Sequence, residues 1–236
     1  KSTSIITIIN QINKPACRQG GFKQKRTTMK KVVTAILLSL AGFGAQAQVT
    51  ETRTTGNYTA IEVKNGIEVI FTQSDVPSLK VETDKAENFA NIITQQNGNT
   101  LKIYMKQPET ETPGAFIPVR VYVSQKNVTE FKAAQGAIFK IDGNLHLAEA
   151  AIVLDSGAAF SGNIETTGKC TIKAKNGSGY RGVLTTDVLQ ANITGGAFAK
   201  LSGKASQTAI FCSSANIRAG KFETDRSGIK AQNSST

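Results

Sequence analysis

The chain has 236 residues, 28 Lys and Arg against 17 Asp and Glu, and a net charge of +11. One His, three Cys and no Trp exclude a histidine-rich metal centre and a disulfide-dense scaffold, while 39% apolar residues suffice for one packed core. Eight of the bases and none of the acids lie in residues 1–47, so residues 48–236 hold 20 bases against 17 acids, a near balance that argues against a nucleic-acid partner.

The first Met is Met29, followed by Lys30 and Lys31. An apolar run of about 12 residues, Val32 to Phe43, comes next, and then Ala45-Gln46-Ala47. A basic start, a short apolar core and a small-x-small end predict a signal peptide over 29–47, cut between Ala47 and Gln48. The run falls short of the roughly 20 residues of a membrane-spanning helix. A buried core helix is the competing reading. Gln48, not Cys, comes directly after the cleavage point, so a lipid-anchored N-terminus is not supported. Residues 1–28 precede a complete signal and lack an initiator Met, and they read as an untranslated upstream extension. A genuine N-terminal extension is the alternative, and Cys17 falls in this segment. The expected location is outside the cytoplasm: periplasm, outer-membrane surface or extracellular space.

Residues 48–236 then form one domain. In 48–127, head strands are expected wherever apolar residues alternate with polar ones. Ile61 and Val63 alternate so, as do Ile67, Val69 and Phe71, then Leu79 and Val81, Leu101 and Ile103, and Val119, Val121 and Val123. Turn residues separate the runs at Asn65-Gly66, Asp75 to Pro77, Gln96 to Asn99 and Pro108 to Pro113. The one predicted helix spans Asp84 to Ile93, where Ala86, Phe89, Ile92 and Ile93 approximate helical spacing.

From residue 128 small residues rise and a repeat appears. Its blocks end in Phe139, Phe160, Tyr180, Phe198 and Ile217, which lie 21, 20, 18 and 19 positions apart. Each is preceded by small or turn residues, as in Leu154 to Phe160, Ala174 to Tyr180 and Ile193 to Phe198. Short strands at a period near 20 predict a parallel β-helix over 128–236, each coil stacked on the next at the strand spacing of about 4.8 Å. Gly157, Gly177, Ser178, Gly179, Gly195 and Gly196 are read as repeat corners chosen for backbone geometry, and the five large residues as an interior ladder. An ordinary β-sandwich with coincidental glycine spacing is the alternative. The sequence stops as a further block opens at Ser227-Gly228-Ile229, so a C-terminally truncated solenoid is expected.

The head segment Val63-Lys64-Asn65-Gly66-Ile67-Glu68-Val69-Ile70-Phe71, with Leu79 to Asp84, Leu101-Lys102-Ile103 and the glycine-serine repeats behind it, resembles the family called putative auto-transporter adhesin, head GIN domain. The resemblance covers essentially all of residues 48–236. It implies an all-β fold, a single-stranded right-handed parallel β-helix of pectin-lyase-like shape without the catalytic residues of those enzymes. It also implies an exported protein of Bacteroidetes with a role in cell adhesion. The match departs in two respects: Gly-Ser-Gly is complete only at Gly177-Ser178-Gly179, against Ser156-Gly157-Ala158, Gly195-Gly196-Ala197 and Ser213-Ser214-Ala215, and the family's C-terminal coils are expected to be missing.

Little in the sequence points to chemistry. His146 alternates with Leu145 and Leu147 and so faces away from them, with no nucleophile motif beside it. Asp142, Asp155, Glu165 and Asp187 fall singly in different coils, and only Glu223 and Asp225 share a short stretch, read as a solvated edge. Cys170 and Cys212 stand 42 residues apart, about two coils, a separation that argues against a disulfide unless the coil register differs. Lys169, Lys173 and Lys175 alternate along one strand with Arg181 close by, and these are the glycan-contact candidates. No membrane-barrel pattern appears. The reading is a non-enzymatic protein with no cofactor and no catalytic or metal-binding residue, acting in surface adhesion or as an envelope component through an unknown glycan or protein partner. A lectin-like or polysaccharide-active protein is the alternative.

Overall fold

The computed structural model describes residues 48–106 and 117–236. The signal-peptide residues up to Ala47, Cys17 and the Pro108–Pro113 turn lie outside the described residues. Among the described residues, fifteen strands join in one hydrogen-bonded sheet that coils into a β-solenoid of about five turns.

Each coil has two legs. The first legs are β2 (Ala60–Val63), β8 (Glu130–Ala133), β10 (Ala150–Leu154) and β12 (Lys169–Ala174), stacked in parallel. The second legs are β3 (Glu68–Gln73), β9 (Ile138–Leu147) and β11 (Ala159–Thr166). In β13 (Gly179–Thr194), β14 (Phe198–Ser213) and β15 (Asn216–Gln232), one long strand supplies the second leg of one coil and the first leg of the next. The legs therefore make two walls with the core between them.

Alternation places every second side chain inside. On the first wall the inward column runs Ile61, Phe131, Ile152, Ile172, Ala191 and Ile210. On the second, Phe139, Phe160 and Tyr180 stack in register, with ring centroids 5.9 and 5.6 Å apart. Phe131 crosses from the first wall and meets Phe139 edge-on at 5.3 Å. Aromatic pairs of this kind each add about 0.5–1.5 kcal/mol beyond the burial of their area.

The expected ladder is corrected at its fourth rung. Ala199, not Phe198, continues the column from Tyr180, and Ile217 follows it. Phe198 points outward, 40% exposed, and its ring lies over Gly179, where a Cβ would collide with it. The ring therefore takes the space that a side chain at 179 would need, in the manner of an aromatic side chain shielding a strand glycine.

The corners also stack. Asn65-Gly66, Gln135-Gly136, Ser156-Gly157, Asn176-Gly177 and Gly195-Gly196 all have positive φ at both residues. Such a pair reverses the chain in a two-residue turn, and glycine takes the second position without the Cβ penalty. Each corner bonds to the next: Gly136 N–H donates to the Ser156 carbonyl, Gly157 N–H to Asn176 and Gly177 N–H to Gly195. Because Asn65-Gly66 joins β2 to β3, coil geometry extends N-terminal to residue 128.

The rest of the head closes the N-terminal end. β6 (Thr100–Met105) and β7 (Val119–Gln125) lie parallel on β2 and β3. Antiparallel strands then cover them: β5 (Ile92–Asn97) on β6, β4 (Ser78–Thr83) on β7, and β1 (Val49–Thr52) on β4. The Arg53 guanidinium ties the two sides together, donating to the Ile92 and Phe89 carbonyls at 2.5 and 3.0 Å. The predicted helix is only a 3-10 turn at Ala86–Asn91. The buried Asn88 donates its amide to Asp84 at 2.7 Å, and Ile92 and Ile93 are drawn into the β5–β6 hairpin. Among the described residues no helix is long and apolar enough to cross a membrane.

Candidate functional site

A concavity of about 570 Å3 forms a trough on the outer side of the first wall. It forms because four first legs lie side by side. Lys173, Asn192, Phe211 and Lys230 stand in one register column, and Thr171 and Gln190 lead the column facing it. The second column continues as Ala209 and Gly228, so one side of the trough is low. Four strands at the usual spacing give it a length of about 14 Å. Between the columns Ile172, Ala191 and Ile210 turn their side chains into the core. Phe211 is thus a half-buried aromatic on an outer wall, set among amides, a hydroxyl and two ammonium groups. None of its lining residues is acidic. An aromatic face beside amide and ammonium donors suits a ring with polar rims, and the two lysines favour a neutral or negative one.

The glycan-contact candidates are divided by the fold. Lys173 lines the trough. Lys169 shares its strand face two positions beyond Thr171. Lys175 sits next to the corner and pairs with Asp155 at 3.2 Å. Asp155 also accepts from Asn176 at 2.8 Å and from Ser156 at 3.1 Å, and these bonds, the one from Asn176 first, hold its carboxyl below its ordinary range. Arg181 lies on the second leg, on the other wall, and does not join the three lysines. Phe211 and Gln190 were missed because neither spacing nor composition marks them; the signal lies in the 19-residue step that brings Gln190, Asn192, Ala209 and Phe211 together.

The six repeat-corner residues fall in two groups. Gly157, Gly177, Gly195 and Gly196 have φ of 74°, 73°, 62° and 76°. Ser178 and Gly179 lie just past a corner, both buried, with Gly179 under Phe198.

The other polar residues stay apart. His146 Nδ1 is 3.3 Å from Glu165, and both side chains are more than half exposed, the geometry of a surface ion pair. Glu223 and Asp225 edge a separate depression with Asp187 and Lys204. Among the described residues no group of three or more His, Cys, Asp or Glu is set to hold a metal. Cys170 and Cys212 are free and buried. They are two rungs and several strand positions apart, since Cys170 aligns with Leu189 and Thr208 while Cys212 aligns with Ile193. Burial pushes the Cys170 thiol up to about 12.

A putative adhesin from Parabacteroides merdae ATCC 43184 superimposes with a TM-score of 0.72 at 20% identity, over 81% of this chain and 80% of its own. A putative adhesin from Parabacteroides distasonis ATCC 8503 gives 0.73 at 18% identity, over 81% of each chain. A protein from the same organism described as a putative lipid binding protein gives 0.69 at 16% identity, over 78% of each. At these identities the likeness is one of fold. No curated protein matches. The family model for the putative auto-transporter adhesin, head GIN domain, matches residues 57–236, from β2 through the solenoid and the trough, and the chain belongs to that family.

Proposed function

We propose that the chain is an exported, non-enzymatic adhesion module that holds a surface glycan in the trough on its first wall. The observation that carries this reading is Phe211, an aromatic ring left half-buried on an outer wall between Lys173, Asn192 and Lys230. A side chain that large normally packs inside. Set in a concavity with amide and ammonium donors around it, it offers a stacking platform with hydrogen bonds at its edge. Membership of an adhesin family supports the role, and the Parabacteroides and Bacteroides sources of similar folds support export in a bacterium with an outer membrane. The basic-apolar-Ala45-Gln46-Ala47 pattern supports cleavage before Gln48.

Two measurements test it. Mass spectrometry of the protein recovered from its producing cells should find an N-terminus at Gln48; a retained Lys30-Lys31 segment would refute export by this signal. Cells displaying the protein should attach to glycan-coated surfaces, and the Phe211→Ala variant should lose most of that attachment. Unchanged attachment with Phe211→Ala would remove the trough from the account.

A further inference from the structure

We propose that the second wall carries a separate binding strip for an extended acidic polysaccharide, lying along the solenoid axis over Arg181, Lys200 and Arg218. This does not rest on the trough, which is on the other wall. The three cations stand in one column of the parallel register, on successive strands β13, β14 and β15. All three are exposed, and among the described residues none is in an ion pair or a side-chain hydrogen bond. Ser161 and Lys140 precede them in the column, but Lys140 is already bound to Glu68.

Two physical arguments make the column a site. The first is cost. Like charges directly opposite each other on neighbouring strands destabilise a sheet. Elsewhere on this wall the fold places acid against base, as with Glu68 between Arg120 and Lys140. Three cations on adjacent rungs forgo that compensation, and an external polyanion would restore it. The second is spacing and surroundings. Rungs recur about every 4.8 Å, close to the length of one sugar ring in an extended chain. A uronate or sulfated polymer with one charge per sugar therefore presents anions at the pitch of the cations. On either side of the column Phe198 and Val183 are 40% and 46% exposed, an aromatic and an aliphatic surface on which the faces of sugar rings can lie. A nucleic-acid strand has its phosphates more widely spaced and would match the column less well.

The test uses the purified chain and polygalacturonate as the probe, with neutral dextran and single-stranded DNA as comparison polymers. Polygalacturonate should bind, and more weakly as salt rises. Arg181→Ala with Lys200→Ala and Arg218→Ala should lower that affinity on the order of tenfold or more. A second triple variant, Lys85→Ala with Lys102→Ala and Lys106→Ala, removes the same charge from the head and should change binding less than twofold, about the scatter of such measurements. Thermal unfolding gives an independent readout: relieving the like-charge stack should leave the first triple variant at least as stable as the parent. No binding of polygalacturonate, equal losses in both triple variants, tighter binding of DNA, or a clear fall in the melting midpoint of the first variant would each overturn the proposal.

Discussion

At the scale of single residues, three side chains show how closely the coils constrain one another. Phe160 is stacked between Phe139 and Tyr180 and almost fully buried. Phe160→Ala should cost about 3–5 kcal/mol, read as a shift of the urea midpoint. Gly179 lies beneath the outward Phe198 ring, so Gly179→Val should cost about 1–3 kcal/mol through overpacking. Adding Phe198→Ala should return much of that loss, which a purely conformational role of the glycine would not allow. The Cys170 thiol, pushed up to about 12 by burial, should resist a thiol reagent in the native protein and react once urea opens the fold. Residue identities were legible from sequence in unequal measure. Asn65-Gly66 and Asn176-Gly177 announce their turns, because few other pairs accept two positive φ angles in succession. Phe198 did not announce its direction. It sits beside Ala199, and either could take the inward position until the register with Tyr180 decides.

Elements are held together by register, and the ion pairs around Glu68 on the second wall show what neighbouring strands contribute to one another. Glu68 on β3 lies between Lys140 on β9 and Arg120 on β7. The hydrogen bond from Lys140 and then that from Arg120 hold its carboxyl below the usual 4.5. A group whose folded value is depressed stabilises the fold above the unfolded value and loses that contribution as pH falls through the folded one. Stability carried by Glu68 should therefore be complete above about pH 4.5 and decline below it. Glu68→Gln should flatten the fall in urea midpoint between neutral pH and about pH 3 without changing its shape elsewhere; an unaltered acid limb would show that the pairs contribute nothing. The alternation that marks β2, β3 and β7 was readable in the sequence, since period two is a property of each segment alone. The helix expected over Asp84 to Ile93 was not realised, because pairing Ile92 and Ile93 with Tyr104 and Met105 outweighs a short helical pattern.

For the whole molecule, a period near 20 fixed the architecture, and the corners repeat it in space. The trough was beyond reach of that argument, because its walls are assembled from residues about 19 positions apart on four strands. Repetition turns one residue per coil into a column: Lys173 gains Asn192, Phe211 and Lys230, while Arg181 gains Lys200 and Arg218. One wall thus presents an aromatic trough and the other a basic strip, and the antiparallel head closes the N-terminal end. The measurement that bears most directly on the adhesive reading is a glycan-array profile of the purified chain beside its Phe211→Ala and Gln190→Ala variants. A defined class of sugars should bind the parent and be lost on the order of tenfold in both variants, with melting midpoints little changed because Phe211 and Gln190 face outward. An array with no bound sugars, or one whose pattern survives both substitutions, would contradict the adhesive reading.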